Sequence, residues 1–115
     1  MKKVKFISIA ILLLVVLLSA NIPYAQEINV KYRDIPVDVG NGYFEKLNLK
    51  VSSFVKEMYY DKNNKYLLVK LVNTFHHRCG LPSEVLDDWL KASSIGNYYN
   101  RNIKDNYECF YSPDY

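Results

Sequence analysis

"YLLVKLVNTFHHRCGLPSEVLDDWLK", Tyr66 to Lys91, is the stretch in which the chain changes its period. In its first part Leu67, Val69 and Leu71 alternate onto one face of a strand, the expected core side. Leu68 and Val72 blur that alternation. "VNT" makes a tight connection, and "TFHHRC" reads as a further strand. From Gly80 the spacing turns helical. Pro82 stands in the first helical turn, where its missing N–H costs nothing. Val85, Leu86, Trp89 and Leu90 fall on one helical face. Glu84, Asp87 and Asp88 lie early and Lys91 late, the charge order that a helix dipole favours.

Outward from this stretch the same logic extends in both directions. "LNLKVSSFVKEMYY", residues 47–60, is rich in β-branched and aromatic side chains, and the polar "DKNNK" follows it. A strand, a short turn and "YLLVKLV" predict a β-hairpin. On the other side Gly96 is expected to stop or kink the first helix, and a shorter helix is predicted over Asn97 to Tyr107. The fold class is therefore α+β: a three-stranded antiparallel sheet packed on two C-terminal helices, in the order β-β-β-α-α. The domain is placed at 47–110, with 111–115 as a tail. Residues 26–46 mix charges with Pro36, Gly40 and Gly42 and show no period, so they read as an irregular arm. Ile35/Val37 and Tyr43/Phe44 are its expected anchor points.

The first 25 residues belong to another process. "MKKVKFISIAILLLVVLLSA" has a basic start, Lys2, Lys3 and Lys5, and then an apolar run that leads into polar "NIPYAQE". This is the pattern of a secretory signal peptide, residues 1–25. A spanning helix needs about 20 apolar residues, and Phe6 to Ala20 supplies fifteen. Cleavage is expected after Ala25, with Ala20 as the second choice. The chain carries 15 basic and 12 acidic side chains. The signal takes three lysines and no acids, which leaves a mature chain of zero net charge. A nucleic-acid binder usually carries an excess of Lys and Arg, so the balance argues against one.

Ninety mature residues make one small domain, for which a disulfide is a useful supplement to the core. Cys79 and Cys109 are the two cysteines, both beyond the signal and in a compartment that permits oxidation. They are read either as a bridge or as two separate thiols. His76 and His77 invite a metal reading, but strand neighbours point to opposite faces. His77 and Cys79 share a face, yet no second cluster completes a zinc site. No metal and no cofactor is expected. Glu84, Asp87 and Asp88 are assigned to a solvated helix face, and no nucleophile set or phosphate loop is present. An enzyme is not expected.

Ten tyrosines lie beyond the signal. Tyr98 and Tyr99, with Asn100, Arg101 and Lys104 beside them, are candidates for stacking bases or sugars. The i, i+4 spacing of Tyr98 with Asn102 and of Tyr99 with Ile103 requires one of the two rings to face the core. The block is therefore expected to serve mainly the fold.

Four segments carry a family resemblance: "VSS" at the opening of a strand, "YYD…NKYLLVKL", "GLPSEVLDDWLKASSIGNYYN" and "NRNIKDNY". From Val51 to Tyr107 the chain resembles the KTSC domain, named after the C-terminal extension of some lysyl-tRNA synthetases and found alone in small bacterial proteins. The most specific block is the run Gly96, Tyr98, Asn100, Ile103 and Lys104. The resemblance implies no catalytic activity, and RNA binding has been inferred for the family from its synthetase context. One position pair departs from it. Where the family has a Tyr-x-Tyr pair on the third strand, this chain has His76 and Arg78, so a stacking surface there is lost or replaced by a cationic one. The expectation is a bacterial protein exported to the periplasm or beyond, a non-catalytic module that binds a polymer or a protein. The alternatives are a structural or protein-interaction component of the envelope, contacting its partner through "CFYSPDY", and a nucleic-acid binder.

Overall fold

The computed structural model describes residues 26–115. The signal segment expected over 1–25 lies outside the described residues. Strands β1 (Glu27–Ile28), β2 (Val37–Asp38) and β3 (Glu45–Lys46) come first, then β4 (Val55–Asp61), β5 (Tyr66–Leu71) and β6 (Thr74–Arg78). Helix α1 (Ser83–Lys91) follows, and a short α2 (Ile95–Tyr98) runs on as a π-helical turn, Tyr99–Ile103.

The hairpin β4–β5 forms because its turn is chemically programmed. The Asp61 carboxylate accepts the backbone N–H of Asn63 and Asn64 at 3.1 and 3.3 Å, and the Asn64 amide at 2.7 Å. Such an Asx turn replaces the ladder where the chain reverses. Lys65 then takes a left-handed conformation, φ 51°. β6 pairs with β5 after the two-residue reversal at Val72 and Asn73, with Leu68 opposite His77 and Leu67 opposite Arg78.

The sheet is larger than the expected three strands. β3 pairs with β4, Glu45 opposite Tyr60, to give a four-stranded antiparallel sheet in the order β3-β4-β5-β6. β1 and β2 form a second, two-stranded sheet. Both additions come from the segment expected to be irregular. Strands of two residues are too short to display a period, so composition alone reads them as loop. β4 also begins later than expected, at Val55. The Ser52 hydroxyl accepts the N–H of Phe54 and Val55, at 3.4 and 3.2 Å, and holds the preceding chain in a turn.

Each face of the sheet is covered. Met58, Tyr60, Leu67 and Val69 pack on Leu81, Leu86, Trp89, Ile95, Tyr99 and Ile103 of the helical layer. Tyr59, Tyr66 and Leu68 point the other way, onto Val30, Val37 and Val39 of the arm, with Phe44 and Tyr115 around them. A strand buried on both faces has no polar side to alternate with. That is why Leu67, Leu68 and Val69 run together.

The predicted first helix matches α1, with Leu86 and Trp89 buried and Glu84, Asp87 and Asp88 exposed. The second starts two residues earlier than expected and ends four earlier. Ser94 caps it by accepting the Asn97 N–H at 3.2 Å. Gly96 neither stops nor kinks a helix; it lies inside α2. A Cβ there would sit 2.6 Å from the Phe54 ring, so any side chain at this position has to displace that ring. The Trp89 indole N–H, 2.9 Å from the Ile95 carbonyl oxygen, ties α1 to α2.

Cys79 and Cys109 form a disulfide across 30 residues, their Cα atoms 4.9 Å apart. It fastens the end of β6 to the segment beyond the π turn, where the Cys79 N–H also donates to the Tyr107 carbonyl at 2.9 Å. The chain then returns to the arm side. Tyr115 donates its hydroxyl to Asp61 at 2.6 Å and lies against Phe44 and Tyr66, ring centroids 4.8 and 5.9 Å away.

Candidate functional site

β6 presents its side chains alternately to the two layers. Arg78 faces the helices, where one guanidinium nitrogen donates to the Tyr99 hydroxyl at 2.6 Å and another to the His77 carbonyl at 2.7 Å. Its Nε is buried without a partner. Arg78 is thus largely occupied in clamping β6 to the π turn. His77 faces the arm side and shares a 2.9 Å hydrogen bond with the Tyr66 hydroxyl through Nδ1. Burial, with Arg33 and Arg78 nearby, holds its pKa below the ordinary histidine value. His76 is shifted the same way by burial, then by Arg78 and Lys31.

The residues singled out from the sequence separate into three groups. Tyr99 is in the core, tilted against Trp89 with ring centroids 5.8 Å apart and edge-on to Phe54. Tyr98 is half-buried and stacks on Trp89 at 6.3 Å. Tyr98 and Arg101 border a shallow depression of about 190 Å³ with Asn102. Asn100 and Arg101 are exposed. The proposed base-stacking pair therefore does not form one platform. The block folds the module, with one tyrosine inward and the other laid on the tryptophan.

The third group does converge. His76, His77, Arg78 and Lys104 line a cleft of about 430 Å³ together with Tyr32, Asp105, Glu108 and Cys109. Tyr32, Asp105 and Glu108 were not singled out from the sequence. Asp105 and Glu108 look like ordinary surface acids there. Tyr32 lies in the arm, and its position beside β6 depends on contacts made more than forty residues away. In the structure Tyr32 is 87% exposed and left-handed, φ 67°. That conformation is uncommon for a bulky residue. The cleft carries both signs of charge, Arg78 and Lys104 against Asp105 and Glu108.

Both thiols are in the disulfide, so His77 and Cys79 do not make a thiol–imidazole pair. Among the described residues, no three His, Cys, Asp or Glu side chains gather as a metal site. No helix among them is long and apolar enough to cross a membrane.

The architecture defines a small α+β module in which Tyr99 and Ile103 of the Gly96–Lys104 block are buried in the core and a polar cleft of about 430 Å³ sits beside an edge strand. The chain belongs to the KTSC family: the family model described as the KTSC domain matches residues 51–107. No curated protein and no solved structure matches the chain. The matched segment contains β4 to the π turn but not the arm, Cys109 or Tyr115. The cleft lies on that seam, with His76, Arg78, Lys104 and Asp105 inside the matched segment and Tyr32 and Glu108 outside it.

Proposed function

We propose that the protein is an exported, non-catalytic binding module and that the cleft beside β6 holds its ligand. The observation that carries this reading is the convergence of Tyr32, His76, Lys104, Asp105 and Glu108, from three separate parts of the chain, on one opening of about 430 Å³. That volume falls in the range of small-ligand sites. Export is supported by the signal pattern of residues 1–25 and by a disulfide, which persists in oxidising compartments. A non-catalytic role is supported by the chemistry of the cleft, whose lining residues include no Ser, Thr or free thiol, and by the core position of the Tyr66 hydroxyl that His77 engages. The mixed charge opposes a phosphate backbone as ligand, since polyanion sites carry one sign.

The test is a calorimetric screen of residues 26–115 against short peptides, glycans, peptidoglycan fragments and RNA. Binding that is lost in Tyr32→Ala and Lys104→Ala, with unchanged melting temperature, supports the reading. No binding to any class, or binding indifferent to both substitutions, overturns it. RNA binding that falls steeply with salt would instead assign the family's suggested role to this chain.

A second reading rests on a different surface. Phe110 and Tyr111 are 86% and 92% exposed, directly after the disulfide. This favours an envelope protein that contacts a partner through its tail. Cross-linking at Tyr111 in envelope extract that yields only monomer would remove it.

A further inference from the structure

The cleft has a floor of backbone. β6 is the last strand of its sheet, and its outer edge is used at two points. The Lys31 N–H donates to the Phe75 carbonyl at 2.9 Å, and the Cys79 N–H donates to the Tyr107 carbonyl at 2.9 Å. Alternate residues of an antiparallel strand direct their backbone groups to the same side. Phe75 and Cys79 point outward, so His77 between them does as well. Its carbonyl is taken by Arg78 at 2.7 Å. Among the described residues, none of the bonds on that edge takes the His77 N–H.

The arm stops short of this donor for a local reason. Val30 bridges Phe75 in parallel, but at Tyr32 the left-handed turn, closed by the Arg33 N–H on the Val30 carbonyl at 3.1 Å, leads the chain away. The gap between the two used rungs is four residues, or about 13 Å of strand at roughly 3.3 Å per residue. It is closed at one end by the arm and at the other by the segment after the π turn. Lys104, Asp105 and Glu108 stand over it, exposed and, among the described residues, engaged in no side-chain hydrogen bond.

Resting on the binding reading above, we propose that the cleft takes a short extended peptide with free termini, laid along the open rung of β6. A ligand carbonyl accepts from the His77 N–H, as in strand addition. The ligand carboxylate faces Lys104, its ammonium faces Asp105 and Glu108, and the Tyr32 ring flanks it. The closed ends restrict the occupant to two or three residues. The paired charges select a zwitterion over a uniformly charged chain. Such peptides arise from proteolysis, with L-residues, or from cell-wall stems, with residues of mixed chirality.

The test is an amide chemical-shift titration of residues 26–115 with trialanine, its N-acetyl and C-amide forms, and a mixed L/D tripeptide. Saturable shifts at His77, Tyr32 and Glu108 are expected, with each capped form at least ten-fold weaker. Lys104→Met should remove the penalty for C-amidation alone, and the pair Asp105→Asn with Glu108→Gln the penalty for N-acetylation alone. Preference between the all-L and mixed tripeptides identifies the source. Equal binding of free and capped peptides, or shifts that avoid β6, overturns the proposal. Glycans that shift the cleft amides while peptides do not would overturn it and leave the binding reading intact. Silence with every ligand would overturn both.

Discussion

The two faces of the sheet are built in opposite ways. The helix face is assembled from one continuous stretch, β4 to Ile103, and falls almost entirely within the family match. The other face is covered by two segments from opposite sides of that stretch, the arm and the chain around Cys109 and Tyr115. The first depends on large apolar side chains in contact. The second depends on fewer residues held by specific links: a disulfide, a parallel bridge at Phe75 and the Tyr115–Asp61 hydrogen bond. One face is stabilised by volume and the other by connections, so the two should fail differently.

The largest effect is expected on the helix face. Trp89→Ala removes a fully buried indole and its bond to Ile95, and should lower stability by about 3–5 kcal/mol in denaturant unfolding. Loss of a single cooperative transition on both faces at once would be the expected form. Replacing Cys79 and Cys109 together by Ser should cost about 3–4 kcal/mol from the released loop of 30 residues. Here hydrogen exchange should rise first at Glu108 to Tyr111 and in the arm, while α1 keeps its protection. Uniform loss of protection would abolish the distinction between the faces.

Gly96→Ala tests the helix face without removing any group. Its new methyl meets the Phe54 ring, and a loss of about 1–3 kcal/mol is expected from thermal melts. The smallest effect belongs to Tyr115→Phe. It deletes one hydrogen bond to a buried carboxylate and should cost about 1–2 kcal/mol at pH 7.

The same residue gives that face a pH signature. Burial acts to raise the Asp61 pKa, but the hydrogen bonds from Tyr115, Asn64 and Asn63 together bring it below the ordinary value. A lowered folded pKa means stability that is present above the unfolded value and lost as pH falls through the folded one. The stabilisation should therefore disappear below about pH 4, and by less in Tyr115→Phe. His76 and His77 act at a higher pH. Their lowered pKa values favour the neutral ring in the fold, so stability should already decline as pH drops below about 6.5.

The helix face was the legible one. The change of period after Gly80 and the apolar stripe of Val85, Leu86, Trp89 and Leu90 located α1, although Pro82 is its extended N-cap and not part of its first turn. Spacing also required one of Tyr98 and Tyr99 to turn inward, and Tyr99 does. The second face was not legible, because β1, β2 and β3 have two residues each and Tyr115 reaches Asp61 across 54 positions. One clue stood in plain view: Leu67, Leu68 and Val69 in succession imply cover on both sides of a strand. The site divides along the same line. His76, Arg78 and Lys104 were identified as residues, but Tyr32 and Glu108 join them only once the arm and the disulfide are in place.

The disulfide and the Tyr115 contact also allow an order of events in folding. The hairpin and helical layer draw on residues 47–107, so they can pack before residues 109–115 dock. Tyr59, Tyr66 and Leu68 then have only the arm for cover, and final closure needs an oxidant as well as the last residues. Until both arrive, the molecule is a half-clad sheet, the kind of intermediate that aggregates or recruits a chaperone. The compartment that supplies the oxidant is thus also the place where that exposure ends.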